Sequence, residues 1–90
     1  MLRLPKSLLH DSATATLAEM LRALGDEPSS SVAVDASALE RFDSTALAVL
    51  LELRRAALLA GKTLALKGMP QRLQNLAALY GIAELLPSTA

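Results

Sequence analysis

Residues Ser31–Gly61, SVAVDASALERFDSTALAVLLELRRAALLAG, decide the fold. Val32, Ala33 and Val34 form a short apolar run that ends on Asp35 and reads as a strand. An unbroken apolar run points to a strand covered on both faces, or to a central, parallel one. Ala36 to Phe42 is a connection. Ser44 to Ala60 contains no Gly or Pro and is rich in Leu, Ala, Glu and Arg, all strong helix formers. Asp43 is the expected N-cap, because its carboxylate can accept a first-turn N–H. Gly61 ends the helix. A strand that feeds a helix through a short loop sets Asp43, Ser44 and Thr45 over unpaired N–H groups at the positive end of the helix dipole. This opening turn is the expected functional site.

The flanking segments extend the pattern. Leu2 and Leu4 alternate with Arg3, as in a short strand with one wet face. Lys6 to Thr14 reads as a connection, with Asp11 and Ser12 as N-cap candidates for a helix over Ala13–Leu24. Leu17, Met20, Leu21 and Leu24 form its apolar stripe, and Gly25 fits the C′ position. After a polar loop, DEPSS at Asp26–Ser30, comes the Ser31–Asp35 strand. Thr63–Lys67, TLALK, is a third strand. Pro70 suits the first position of a helix whose face carries Leu73, Leu76, Ala77 and Tyr80, with Gly81 closing it. Ile82–Leu86 reads as a last short turn, and Ser88–Ala90 is expected to fray. Strands alternating with helices predict one α/β domain over residues 1–90. Its sheet should be mainly parallel (mixed), of about three to four strands with helices packed against it, joined by right-handed crossovers.

Composition narrows the function. Hydrophobic residues make up 52% of the chain, yet Phe42 and Tyr80 are its only aromatics. The core must be Leu, Ala and Val, and base stacking or an aromatic cage is disfavoured. Nine basic residues balance nine acidic ones, a poor basis for nonspecific nucleic-acid binding or for an anionic membrane surface. There is no cysteine, and His10 is the sole histidine, so thiolate chemistry and a multi-His metal site are excluded; no cofactor or metal is expected. The start, MLRLPKSLLHD, lacks the apolar core of a signal peptide. The longest apolar run, Ala46–Leu51, is far short of the ~20 residues a membrane span needs. A cytoplasmic protein without direct membrane insertion is expected.

Two features of the central helix bear on chemistry. With Leu47 placed at zero and ~100° per residue, Ala46, Val49, Leu50, Leu53, Ala57 and Ala60 fall within an arc of about 100°, the width of a sheet-facing stripe. The opposite side carries Glu52 and Arg55 but also Ala48, Leu51 and Leu59, with Leu58 near its edge. These are either isolated surface leucines, which are normal, or a protein-binding patch. Asp43-Ser44-Thr45 is either a plain cap with first-turn hydroxyls or a regulatory site. A phosphate on Ser44 or Thr45 would add about −1.5 to −2 charges there. Catalysis is not expected. Ser44 has no evident base, no carboxylate pair is apparent, and Gly61-Lys62-Thr63 sits at a helix C-terminus, where the dipole is wrong for phosphate.

From Val32 onward the chain resembles the STAS domains, the family of sulfate-transporter tails and anti-sigma-factor antagonists. The residues that carry the likeness are VAVDASALERFDSTALAVLLELRRAALLAGKTLALKG and PQRLQNLAALYGIAELLP. Within that family it looks most like the MlaB-type subunits of the bacterial Mla phospholipid ABC transporter, which serve outer membrane lipid asymmetry. The resemblance implies a non-catalytic accessory subunit that binds the cytoplasmic ATPase subunit and supports its assembly and activity. Through that partner it would lie against the permease in the inner membrane. The implied contact surface includes Ser44 and Thr45, with Ala48 and Leu51. Asp43, Glu52, Arg55 and Leu59 complete the candidate partner-binding set, and a homodimer through the apolar patch is a further expectation. The antagonist branch implies the alternative, a signalling protein phosphorylated at Ser44, although Thr45 and Ala46 replace that branch's usual Ser and Gly.

Overall fold

The computed structural model describes residues 2–86, 88 and 89. In chain order the elements are β1 (Leu2–Arg3), β2 (Ser7–Leu8), α1 (Ala13–Asp26), β3 (Ser31–Asp35), β4 (Arg41–Phe42), α2 (Thr45–Leu59), β5 (Thr63–Lys67), α3 (Gln71–Leu79), a 3₁₀ turn at Ala83–Leu85 and β6 (Ser88–Thr89). The main sheet is four-stranded in the order β1-β3-β5-β6, and β2 and β4 form a second, two-stranded sheet. Each described pairing is parallel. The expected α/β architecture is therefore present.

The long central pair runs from Ser31 opposite Thr63 to Asp35 opposite Lys67. Its register sets Val32 and Val34 beside Leu64 and Leu66 on one face. Val32, Val34 and Leu66 are buried, while Ala33, Asp35 and Ala65 on the other face are half-buried. The strand is central and parallel, but the apolar run does not mean equal cover on both faces. Ala33 simply puts a small side chain on the second one.

Val32, Val34 and Leu66 share one buried core with Met20 and Leu24 of α1, Leu47, Leu50 and Leu53 of α2, and Leu73 and Ala77 of α3. Because the strands are parallel, each helix starts at the C-terminal edge of the sheet and ends at its N-terminal edge. The opening turns of α1, α2 and α3 thus share one end of the molecule, and their last turns share the other.

Several expected boundaries shift. The Lys6–Thr14 and Ala36–Phe42 connections hold β2 and β4, whose pairing aligns Ser7 with Arg41 and Leu8 with Phe42. Helix α1 continues through Gly25 to Asp26, with Glu27 as its C-cap, so Gly25 is not a C′ glycine. Helix α2 stops at Leu59, which leaves Ala60 as an exposed C-cap rather than part of the sheet-facing stripe. Pro70 is the N-cap of α3 and not its first helical residue. Tyr80 and Leu21, expected on apolar faces, are 56% and 38% exposed. Ser88 and Thr89 do not fray; they pair with Leu66 and Lys67. Ala90 lies outside the described residues.

At the helix C-terminal end, Lys62 acts as a staple. Its Nζ donates to the carbonyls of Glu27 and Ser29, and its N–H donates to Ala57 O at 2.8 Å. The α1–β3 loop is thereby tied to the turn that leaves α2.

Candidate functional site

The opening turn of α2 is built by three consecutive polar residues with different tasks. Ser44 is the N-cap residue, but its φ of −62° and ψ of −17° are already helical, and its side chain makes no capping bond. Capping falls to Asp43, one position earlier than a standard cap. Asp43 Oδ1 accepts the Thr45 N–H at 2.9 Å, and Oδ2 accepts the His10 N–H at 3.3 Å. The expected N-cap role of Asp43 is thus displaced by one residue, with its chemistry kept.

The Thr45 side chain and N–H, with the His10 N–H and the His10 charge, hold the Asp43 carboxyl below its ordinary range, against a smaller opposing effect of burial. Thr45 is half-buried, whereas Ser44 is exposed with its hydroxyl unused in the cap. Of the two candidate hydroxyl residues, Ser44 is the more exposed. A parallel arrangement ends β3, where Asp35 Oδ1 accepts the Ser37 N–H at 2.9 Å.

Along the outward face of α2 the other candidates separate into two groups. Ala48, Glu52 and Arg55 are exposed, and Arg55 reaches Glu52 at 3.7 Å. Leu51, expected on the same surface, is half-buried and packs against the core. Leu59 is 79% exposed, yet it stands at the far end of the helix. At 1.5 Å per residue it is about 22 Å from Ser44 along the axis, so it does not flank the opening turn.

What flanks the turn instead is α1. Ala13, Thr14 and Leu17 face Thr45, Ala48 and Val49 across a mainly apolar groove of about 180 Å³, with Glu52 at its rim. Sequence reading missed this contribution because nothing in the α1 pattern says which helix it packs against. It also missed the surroundings of β4. The Arg72 guanidinium of α3 lies 4.5 Å from the centroid of the Phe42 ring, which ties the start of α3 to the residue just before Asp43.

A larger groove of about 330 Å³ lies on α3, away from Ser44. Its amides are already engaged: Gln71 Nε2 donates to Asn75 Oδ1 at 3.0 Å and Gln74 Nε2 to Met69 O at 2.9 Å. Among the described residues no group of acidic or histidine side chains could hold a metal ion. The arrangement at α2 offers a shallow apolar seat, one accessible hydroxyl and a capped helix start. That suits it to contact another polypeptide.

A family model described as Mlab, STAS domain matches residues 1–87. The chain is a member of the MlaB-type STAS domain family. The match reaches back through β1, β2 and α1, beyond the Val32–Pro87 segment in which the resemblance is legible by eye. No curated protein matches the chain significantly. STAS domains of this type are generally non-catalytic. No helix among the described residues of this STAS domain is long and apolar enough to cross a membrane.

Proposed function

We propose that this STAS domain is a non-catalytic accessory subunit of a phospholipid-transporting ABC system of Mla type. It docks the N-terminal half of α2 on the cytoplasmic ATPase, supports its assembly and activity, and lies beside the inner membrane only through that partner. The observation that carries this reading is the coincidence of an exposed Ser44 with the apolar α1–α2 groove at Ala48, in a chain of MlaB type. The contact set is Ser44, Thr45, Ala48 and Glu52, with Asp43 holding the turn in shape.

The test is co-purification after co-expression with an Mla-type ATPase and permease from the same host. Ala48→Arg fills the groove mouth from an exposed position, so it should abolish capture while shifting stability by no more than about 0.5 kcal/mol. Capture that survives Ala48→Arg, or a chain that never co-purifies, overturns the reading. Leu51→Asp is a poor test, because Leu51 packs on the core.

The exposed Ser44 hydroxyl supports a second reading, a signalling antagonist switched by phosphorylation of that serine. Incubation with the host's serine kinases followed by intact-mass measurement separates the two. Stoichiometric phosphate lost in Ser44→Ala favours the switch, and an unmodified mass rules it out.

A further inference from the structure

We infer that the free chain pairs with a second copy of itself through α2, the two helices running antiparallel about a two-fold axis. The outward face of α2 reads Thr45, Ala48, Glu52, Arg55 and Leu59, at alternating spacings of three and four, which is the seam spacing of packed helix pairs. Its chemistry is self-complementary in one orientation only. With the axis midway between Glu52 and Arg55, Glu52 faces the partner's Arg55 and Arg55 faces the partner's Glu52. The same geometry sets Leu59 opposite the partner's Ala48. A parallel pairing would instead oppose like charges, which disfavours it.

Size matches charge. Leu59 is 79% exposed, the most exposed of the large apolar side chains among the described residues. Ala48 is small and borders the groove of about 180 Å³ between α1 and α2. Antiparallel pairing seats each leucine in the other copy's groove. Glu52 and Arg55 already bridge within one helix at 3.7 Å with their side chains 56% and 72% exposed, so they can exchange partners without burying an unpaired charge. The interface is isologous and closes as a dimer.

The native sequence has no cysteine, so introduced thiols report the geometry directly. In the antiparallel dimer two copies of position 59 are about 16 Å apart along the axis, as are two copies of position 48. A disulfide needs Cα atoms within about 7 Å. The Ala48→Cys/Leu59→Cys chain should therefore cross-link into a covalent dimer under mild oxidation, and neither single variant should. Sedimentation equilibrium then tests the charges. Glu52→Arg or Arg55→Glu alone should weaken the dimer about tenfold, and the double reversal should restore it, because the facing pair is rebuilt with its signs exchanged. Circular dichroism melts verify that each variant is folded. Single cysteine variants that cross-link as readily as the double, a double reversal no tighter than the singles, or a native chain that stays monomeric at millimolar concentration each overturn the pairing.

Discussion

At the scale of single residues, two small groups hold the strand-to-helix corners in place. Gly68, just after β5, has φ +65°, and a Cβ there would lie 2.9 Å from Ser37 Cβ and 3.2 Å from Ser37 Cα. Ser37 is itself pinned, since its N–H bonds Asp35. Gly68→Ala must therefore accept both left-handed strain and a backbone clash. Gly61 has φ +74° with nothing near its absent Cβ. Gly61→Ala should cost about 1 kcal/mol and Gly68→Ala roughly 2–3 kcal/mol in urea unfolding. Equal costs would mean that the Ser37 approach carries no weight. The second group is acidic. Hydrogen bonds from Ser37 and Thr45 lower the carboxyl pKa of Asp35 and Asp43 in the fold. Lowered carboxylates stabilise the fold above their ordinary pKa, and that stabilisation is lost as pH falls through the folded value. The urea midpoint should be flat from about pH 7 to 5 and fall below about pH 4. In Asp35→Asn/Asp43→Asn the midpoint should be lower at neutral pH and fall less steeply. An unchanged acid slope in that variant would assign the acid sensitivity to other carboxyls.

At the scale of elements, legibility in the sequence follows how much of each element is decided locally. β3 and β5 have the expected ends, Ser31–Asp35 and Thr63–Lys67, because a dense apolar run between polar residues leaves little freedom. α2 starts one residue late for a physical reason. Ser44 already has helical dihedrals, so it takes the cap position while Asp43 supplies the carboxylate. β2 and β4 were invisible: each is two residues long, and each exists only because the other is there. α1 passes Gly25 because the chain turns only at Glu27, whose N–H bonds Leu24 O at 3.2 Å. The opening turn as a candidate site was readable, since it needs only a polar triplet at a helix start. The groove beside it was not, since it is a property of two helices packed together. Periodicity separated Leu51 from Leu59 poorly. Leu51 sits on the flank of α2 and turns into the core, whereas Leu59 lies opposite the core.

At the scale of the whole molecule, the parallel topology sorts polar and apolar surface to opposite ends. Ser44, the Asp43 cap and the Arg72–Phe42 contact gather where the helices begin. Where they end, Leu58 and Leu59 of α2 and Leu79 and Tyr80 at the end of α3 are 51%, 79%, 77% and 56% exposed. Exposure alone would nominate this second end as the main contact surface. The chemistry argues otherwise. Leu79 and Tyr80 line neither the α1–α2 groove nor the groove on α3, and neither belongs to the α2 face on which charge and size are matched. The Leu79→Lys/Tyr80→Lys double variant separates these views, since both positions are exposed and should tolerate charge within about 0.5 kcal/mol each. It should keep full capture of the ATPase and an unchanged self-association constant in sedimentation. If instead either property is lost while the melting temperature holds, the working surface lies at the ends of α2 and α3, and the opening turn of α2 is only a well-made cap.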